Sequence, residues 1–104
     1  MTTRFIKVID FYQTPDYERN YDKNCYNEYV CECCGRKLNP ETMHGVQMLE
    51  SGHWTNETEE VKTIYENGKP TGMHSQGFFY IGPKCYQKMM KRIEASNETV
   101  EVEI

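Results

Sequence analysis

Most apolar positions in this chain fall in short strand-like runs, and one stretch repeats with a period between three and four. Residues 5–12 (FIKVIDFY) are apolar, β-branched and aromatic, which predicts a strand. Its alternation is imperfect, so both faces are expected to be partly covered. Residues 13–24 (QTPDYERNYDKN) have the composition of a loop. Lys37-Leu38 runs into Asn39-Pro40, a turn signal. Residues 46–49 form a short apolar strand, Glu50-Ser51-Gly52 a hairpin turn, and Trp54 begins the return. Residues 61–65 and 77–81 are two further strands, separated by the clearest turn in the chain, Glu66-Asn67-Gly68-Lys69-Pro70. Residues 98–104 (ETVEVEI) alternate strictly and are expected to form a final edge strand with its acids facing water.

The change of period comes after Gly82-Pro83. Glycine is acceptable at an N-cap and proline is favoured at the first helical position. Tyr86, Met89, Met90 and Ile93 then fall at i, i+3, i+4 and i+7, one apolar face of a helix. Lys91 and Arg92 stand near its C-terminal end, where the helix dipole favours cations. The methionines read as core rather than as metal ligands.

Length and composition sharpen this outline. The chain has 104 residues, the size of one domain, and 38% of them are hydrophobic. Ordering each residue costs about 1–2 kcal/mol, so a core this lean gains from a cross-link. No signal-peptide core and no apolar run of membrane length is visible, which points to the cytoplasm and to reduced thiols. The net charge of −4 argues against wide phosphate contact and so against direct nucleic-acid binding. The charge is uneven. Asp10, Asp16, Glu18, Asp22, Glu28 and Glu32 face only Arg19 and Lys23 within residues 10–32, whereas Lys84, Lys88, Lys91 and Arg92 have no acid among them. An acidic, tyrosine-rich face suits a basic partner; a solvated surface is the plainer account.

The candidate chemistry lies in five cysteines. Cys31-Glu-Cys-Cys34-Gly35 has the form of a zinc knuckle: two thiolates three apart on a tight turn reach one tetrahedral ion, and the glycine lets backbone N–H groups turn toward the sulfurs. Cys85 falls in the first turn of the predicted helix, where the dipole and free N–H groups favour a thiolate. Cys31, Cys34 and Cys85 are therefore the expected ligands, with Cys33 a bystander. The fourth position stays open. His44 is favoured, because its segment should fold back beside the knuckle; His53, His74, Cys25 and Cys33 are the alternatives. The fold class that follows is α+β: a small treble-clef-like zinc-knuckle domain with an antiparallel sheet and one main helix near residues 83–95. It forms a single domain over 1–104, with a zinc-binding core at about 30–93, an N-terminal strand and acidic loop at 1–29 and an edge strand at 98–104.

Catalysis is not indicated. A catalytic zinc keeps an open position beside an acid or base. The histidines stand as His44-Gly-Val, His53-Trp-Thr and His74-Ser-Gln, which match neither the HxE of a nucleobase deaminase nor an HExxH helix. A thioredoxin-like CxxC would continue into a helix, but Gly35, Asn39 and Pro40 follow instead. Zinc is expected to be structural, and the protein not to be an enzyme.

Cys-x-x-Cys-Gly-Arg-x-Leu at 31–38, followed at a distance by Gly-Pro-x-Cys at 82–85, resembles short zinc-binding proteins of bacteriophages and mobile elements. The stretches 75–85 (SQGFFYIGPKC) and Val46-x-x-Leu49-x-x-Gly52 look like their longer members. Those members often carry a histidine after the valine; here Gln47 stands there. The resemblance covers roughly residues 30–93 and implies a zinc site and a phage-like origin. In size, charge and lack of catalytic residues the chain is similar to phage inhibitors of host defence, including anti-CRISPR proteins. That implies a bacterial host cytoplasm and a host defence protein as partner, most of all a Cas9-type nuclease with its basic nucleic-acid channels. The candidate contact residues are Tyr12, Asp16, Tyr17, Glu18, Tyr21 and Asp22, since tyrosine gives large contact area at little entropic cost. A nucleic-acid-binding zinc module using Lys84, Lys88, Lys91, Arg92 and Trp54 is the alternative.

Overall fold

The computed structural model describes residues 2–104 and is an α+β domain of antiparallel strands and two helices. The N-terminal apolar run does not make one strand. It forms β1 (Thr3–Lys7) and β2 (Ile9–Asp10), which break at the buried Val8 and belong to different sheets. The imperfect alternation has this cause: the chain crosses from one sheet to the other, so the inward side changes. Phe11 and Tyr12 lie beyond the strand, and Phe11 N–H donates to Gly52 O.

The second sheet is built around the predicted hairpin. β3 (His44–Leu49) and β4 (His53–Thr55) pair with Met48 opposite Trp54. β7 (Ser75–Ile81) pairs with the other side of β3, giving the order β2-β4-β3-β7. β5 (Thr63–Glu66) and β6 (Lys69–Pro70) form a hairpin across Asn67-Gly68. Both turn residues take positive φ, 53° and 77°, the conformation a two-residue primed turn demands and the reason Asn-Gly suits it.

β8 (Thr99–Glu103) corrects the expectation of an edge strand at 98–104. It runs between β1 and β5 in the order β1-β8-β5-β6, paired on both sides. Strict alternation follows from one covered face, which a central strand shares with an edge strand; Val102 is fully buried and Glu101 accepts a hydrogen bond from Thr3 Oγ1.

α2 (Pro83–Ala95) starts and ends where expected. Gly82 is its N-cap, and Met89 and Ile93 are buried while Tyr86 and Met90 flank them. A second correction concerns residues 13–24: they hold a helix, α1 (Tyr17–Asn24), with no buried residue. Its stability comes from docking on the cysteine turn rather than from an apolar stripe, so hydrophobic periodicity had nothing to report.

Two apolar clusters hold the molecule. One joins Ile9, Val46, Trp54 and Ile81 of the second sheet to Met89 and Ile93 of α2 and to Leu38, Cys31 and Cys33 of the cysteine turn. The other joins Ile6, Ile64 and Val102 of the first sheet to Leu49 of β3 and to Val8 and Val61 between strands. Gln47, in the position where the resembling proteins often carry histidine, is fully buried. Its amide donates to Glu57 O and Glu59 O and accepts from Val61 N–H, which braces the loop between the sheets.

Candidate metal centre

The cysteine turn is closed by its own backbone. Val30 and Lys37 form an isolated antiparallel bridge, Cys31 N–H donates to Arg36 O at 2.8 Å, and Gly35 N–H donates to Cys31 O at 2.8 Å. Gly35 sits at φ +76°, which a side chain rarely adopts. This places Cys31 and Cys34 side by side. Cys85 approaches from the first turn of α2, carried there by the extended Gly82 and the helix-starting Pro83. Gly82 N–H and Cys34 N–H both donate to Cys31 Sγ at 3.4 Å, so the start of the helix and the turn converge on one sulfur.

The Sγ atoms of Cys31, Cys34 and Cys85 all lie within 4.8 Å of one another. A tetrahedral zinc with bonds of about 2.3 Å holds its sulfurs roughly 3.8 Å apart, so a small contraction of this triad fits the ion. Cys31 is buried and the other two are half-buried. None of the five cysteines forms a disulfide among the described residues.

Electrostatics bear on how the group would take up a cation. The contact with Cys85, then burial, push the Cys31 thiol far above its ordinary pKa. At Cys85 the hydrogen bond from Cys31 acts downward, but Cys33, burial and the neighbouring sulfurs outweigh it and push the thiol up to about 12. Burial raises Cys34 too. Thiols packed this closely resist ionising together, and a bound dication reverses that preference.

The three predicted cysteines are thus brought together. His44 is not among them. Its ring lies flat on Tyr86, centroids 4.0 Å apart at 4°. His74 bonds through Nδ1 to Ser75 O and pairs with Glu50 at 3.4 Å. Cys25 is exposed just past α1, its thiol bonded to Asp22 O. His53 belongs to a separate surface group: its Nε2 lies 3.3 Å from Glu98 and 3.7 Å from Asp10, and its Nδ1 2.7 Å from Ser51 Oγ. The Asp10 side chain is 88% exposed, so this pairing contributes at most about 1 kcal/mol.

Helix α1 rides on the cysteine turn. Asn20 Nδ2 donates to Cys34 O at 2.8 Å, Asn24 Nδ2 to Gly35 O at 3.4 Å, and Thr14 N–H to Cys33 O at 3.0 Å. A Cβ on Gly35 would stand 2.5 Å from Tyr17 O and 2.8 Å from Tyr21 N, so the two backbones touch where only hydrogen fits. Asp16, Glu18, Tyr21 and Asp22 remain exposed on this helix or at its cap, and Tyr17 stacks on Tyr21 at 5.7 Å. Tyr12 is different: it packs on Trp54 and lies beneath the Arg92 guanidinium at 4.1 Å. Asn20 and Asn24, which motif reading passed over, could have been found as the polar members of a Tyr17-Asn20-Tyr21-Asn24 stripe at helical spacing.

No protein-family model, no curated protein and no solved structure matches the chain.

Proposed function

We propose that the chain is a non-enzymatic, zinc-stabilised module that binds a basic protein surface through helix α1, and that in a phage-like setting it inhibits a host defence nuclease of the Cas9 type. The observation that carries this reading is the direct seating of a tyrosine-bearing helix, with Glu18 and Asp22 exposed beside Arg19 and Lys23, on a three-thiol turn. Zinc on Cys31, Cys34 and Cys85 would fix the turn, and the turn fixes the helix. Such an ion supplies roughly 10–16 kcal/mol in the most favourable small peptides, more than a domain's usual net stability. A helix without buried side chains, resting on so rigid a base, is a surface held for contact. Asp16, Glu18 and Asp22 supply charge for steering, and Tyr17 and Tyr21 supply area.

The test is inhibition of target cleavage by candidate nucleases, with wild type beside a Glu18→Lys/Asp22→Lys double variant. The variant should keep its fold and zinc but bind at least about tenfold more weakly, with a reduced salt dependence. Inhibition untouched by the double charge reversal would reject α1 as the contact. The competing role is nucleic-acid binding through the exposed Lys84, Lys88, Lys91 and Arg92 of α2. Tight, salt-sensitive retardation of DNA or RNA by the purified protein would favour it instead.

A further inference from the structure

We propose that His53, Asp10 and Glu98 form a second cation site, separate from the thiols, which takes a divalent metal of the manganese or zinc class through one imidazole nitrogen and two carboxylates. It goes beyond the function proposed above and does not depend on it.

The three donors come from distant parts of the chain and are held by backbone. Asp10 and His53 are direct partners in the β2–β4 ladder. Glu98 stands just before β8, at the entrance to the other sheet. It is fixed there by Val8 N–H, which donates to Glu98 O at 3.1 Å, and by Ser96 Oγ, which accepts from Glu98 N–H at 3.0 Å and donates to Val8 O at 2.7 Å. The three donor atoms all lie within 4.8 Å of one another. His53 Nε2 is 3.3 Å from a Glu98 oxygen and 3.7 Å from an Asp10 oxygen. Two ligands about 2.1 Å from one ion stand roughly 3.0–3.4 Å apart, so the ring is already near the spacing that a metal imposes.

The ring is oriented from its far side. Ser51 Oγ lies 2.7 Å from His53 Nδ1. With the proton on Nδ1 the ring donates to Ser51, and the Nε2 lone pair faces both carboxylates. An outer hydrogen bond of this kind holds the imidazole in metal sites. The His53 side chain is 16% exposed, whereas those of Asp10 and Glu98 reach solvent. Charge points the same way. Two carboxylates around a neutral ring leave two negative charges, and among the described residues neither acid has a lysine or arginine at ion-pair distance. A dication neutralises both. Ser51 and His53 also line an open cleft of about 540 Å³, which gives the ion a way in. Nitrogen and oxygen donors without sulfur distinguish this group from the cysteine turn, because manganese favours carboxylates and avoids thiolates.

The experiment is a manganese titration of the full chain, already supplied with one equivalent of zinc, followed by amide NMR. Broadening should saturate and be strongest at Asp10, His53 and Glu98. An Asp10→Asn/Glu98→Gln double variant should bind manganese at least about tenfold more weakly, as should His53→Gln, since changes outside the ligand shell alone reach that size. Both acids are exposed, so the double variant should keep the wild-type spectrum before metal is added. Three results overturn the site: no saturable broadening in wild type, broadening centred on other residues, or folded variants that bind as tightly as wild type. Zinc per chain, counted separately, reports on the thiols; a chain that takes no zinc there leaves the manganese result standing.

Discussion

Three residues carry most of what is testable one side chain at a time. Cys31 is the hub: two N–H groups and the other thiols converge on its sulfur. Cys31→Ser should lose zinc and melt the domain, as should Cys34→Ser and Cys85→Ser; unchanged metal content in any one removes that residue from the ligand set. Gly35 and Gly52 form a controlled pair, both at positive φ, 76° and 85°. Gly52→Ala meets nothing within 4 Å and should cost only conformational strain, about 1–2 kcal/mol. Gly35→Ala adds a clash with the backbone of α1 and should cost about 2–5 kcal/mol by denaturant titration. Equal costs would mean that α1 does not sit on the turn. The raised thiols give a third readout. Cys31, Cys34 and Cys85 hold their protons at pH 7 without metal, so zinc should release about three protons, seen as a binding enthalpy that varies with buffer. The sign follows: the unfolded chain binds thiol protons that the zinc-bound fold does not, so zinc-linked stability rises with pH toward the free thiol range and is lost on acidification. The convergence of Cys31, Cys34 and Cys85 was legible in the sequence because spacing plus a trailing glycine is a geometric statement. The place of His44 was not, because it depends on which side chains other contacts have already claimed. Tyr86 claims His44, and only the folded chain shows that.

At the scale of elements, α2 was readable from Pro83 to Ala95 because capping chemistry and apolar period agree there. The β3–β4 hairpin and the turn at Asn67-Gly68 were readable because these residues and Gly52 satisfy turns locally, but Lys69-Pro70, expected in that turn, pair with β5 as β6, and β7 pairs with β3 instead. The failures share a cause: each depends on a neighbour distant in sequence. β8 has the alternation of an edge strand but gains partners on both sides, from β1 and β5. The expected strand at 5–12 divides at Val8 because two sheets compete for it. α1 forms on a surface supplied by residues 33–35. Its docking predicts that Asn20→Ala removes a bond to Cys34 O and costs about 1 kcal/mol, with α1 amides exchanging hydrogen faster than those of α2. Unaltered exchange in α1 would show that Asn20 does not anchor it.

Over the whole molecule there are two apolar clusters, and one of them contains Cys31 with Cys34 and Cys85 packed against it. The cysteine group brings a turn at residues 31–35 against the start of the helix at Pro83, so an ion bound there would close a long loop of chain. Among the described residues no helix is long and apolar enough to cross a membrane. Cysteine geometry and the placement of α1 are linked by direct contacts, and under the proposed reading a bound cation would act on both. The most direct test is a thermal melt of the purified protein before and after chelation, with zinc counted per chain by native mass spectrometry. One zinc per chain, a cooperative melt that collapses when the metal is removed, and recovery when zinc is returned are the predicted results. A metal-free chain that melts at the same temperature with or without chelator would contradict the account.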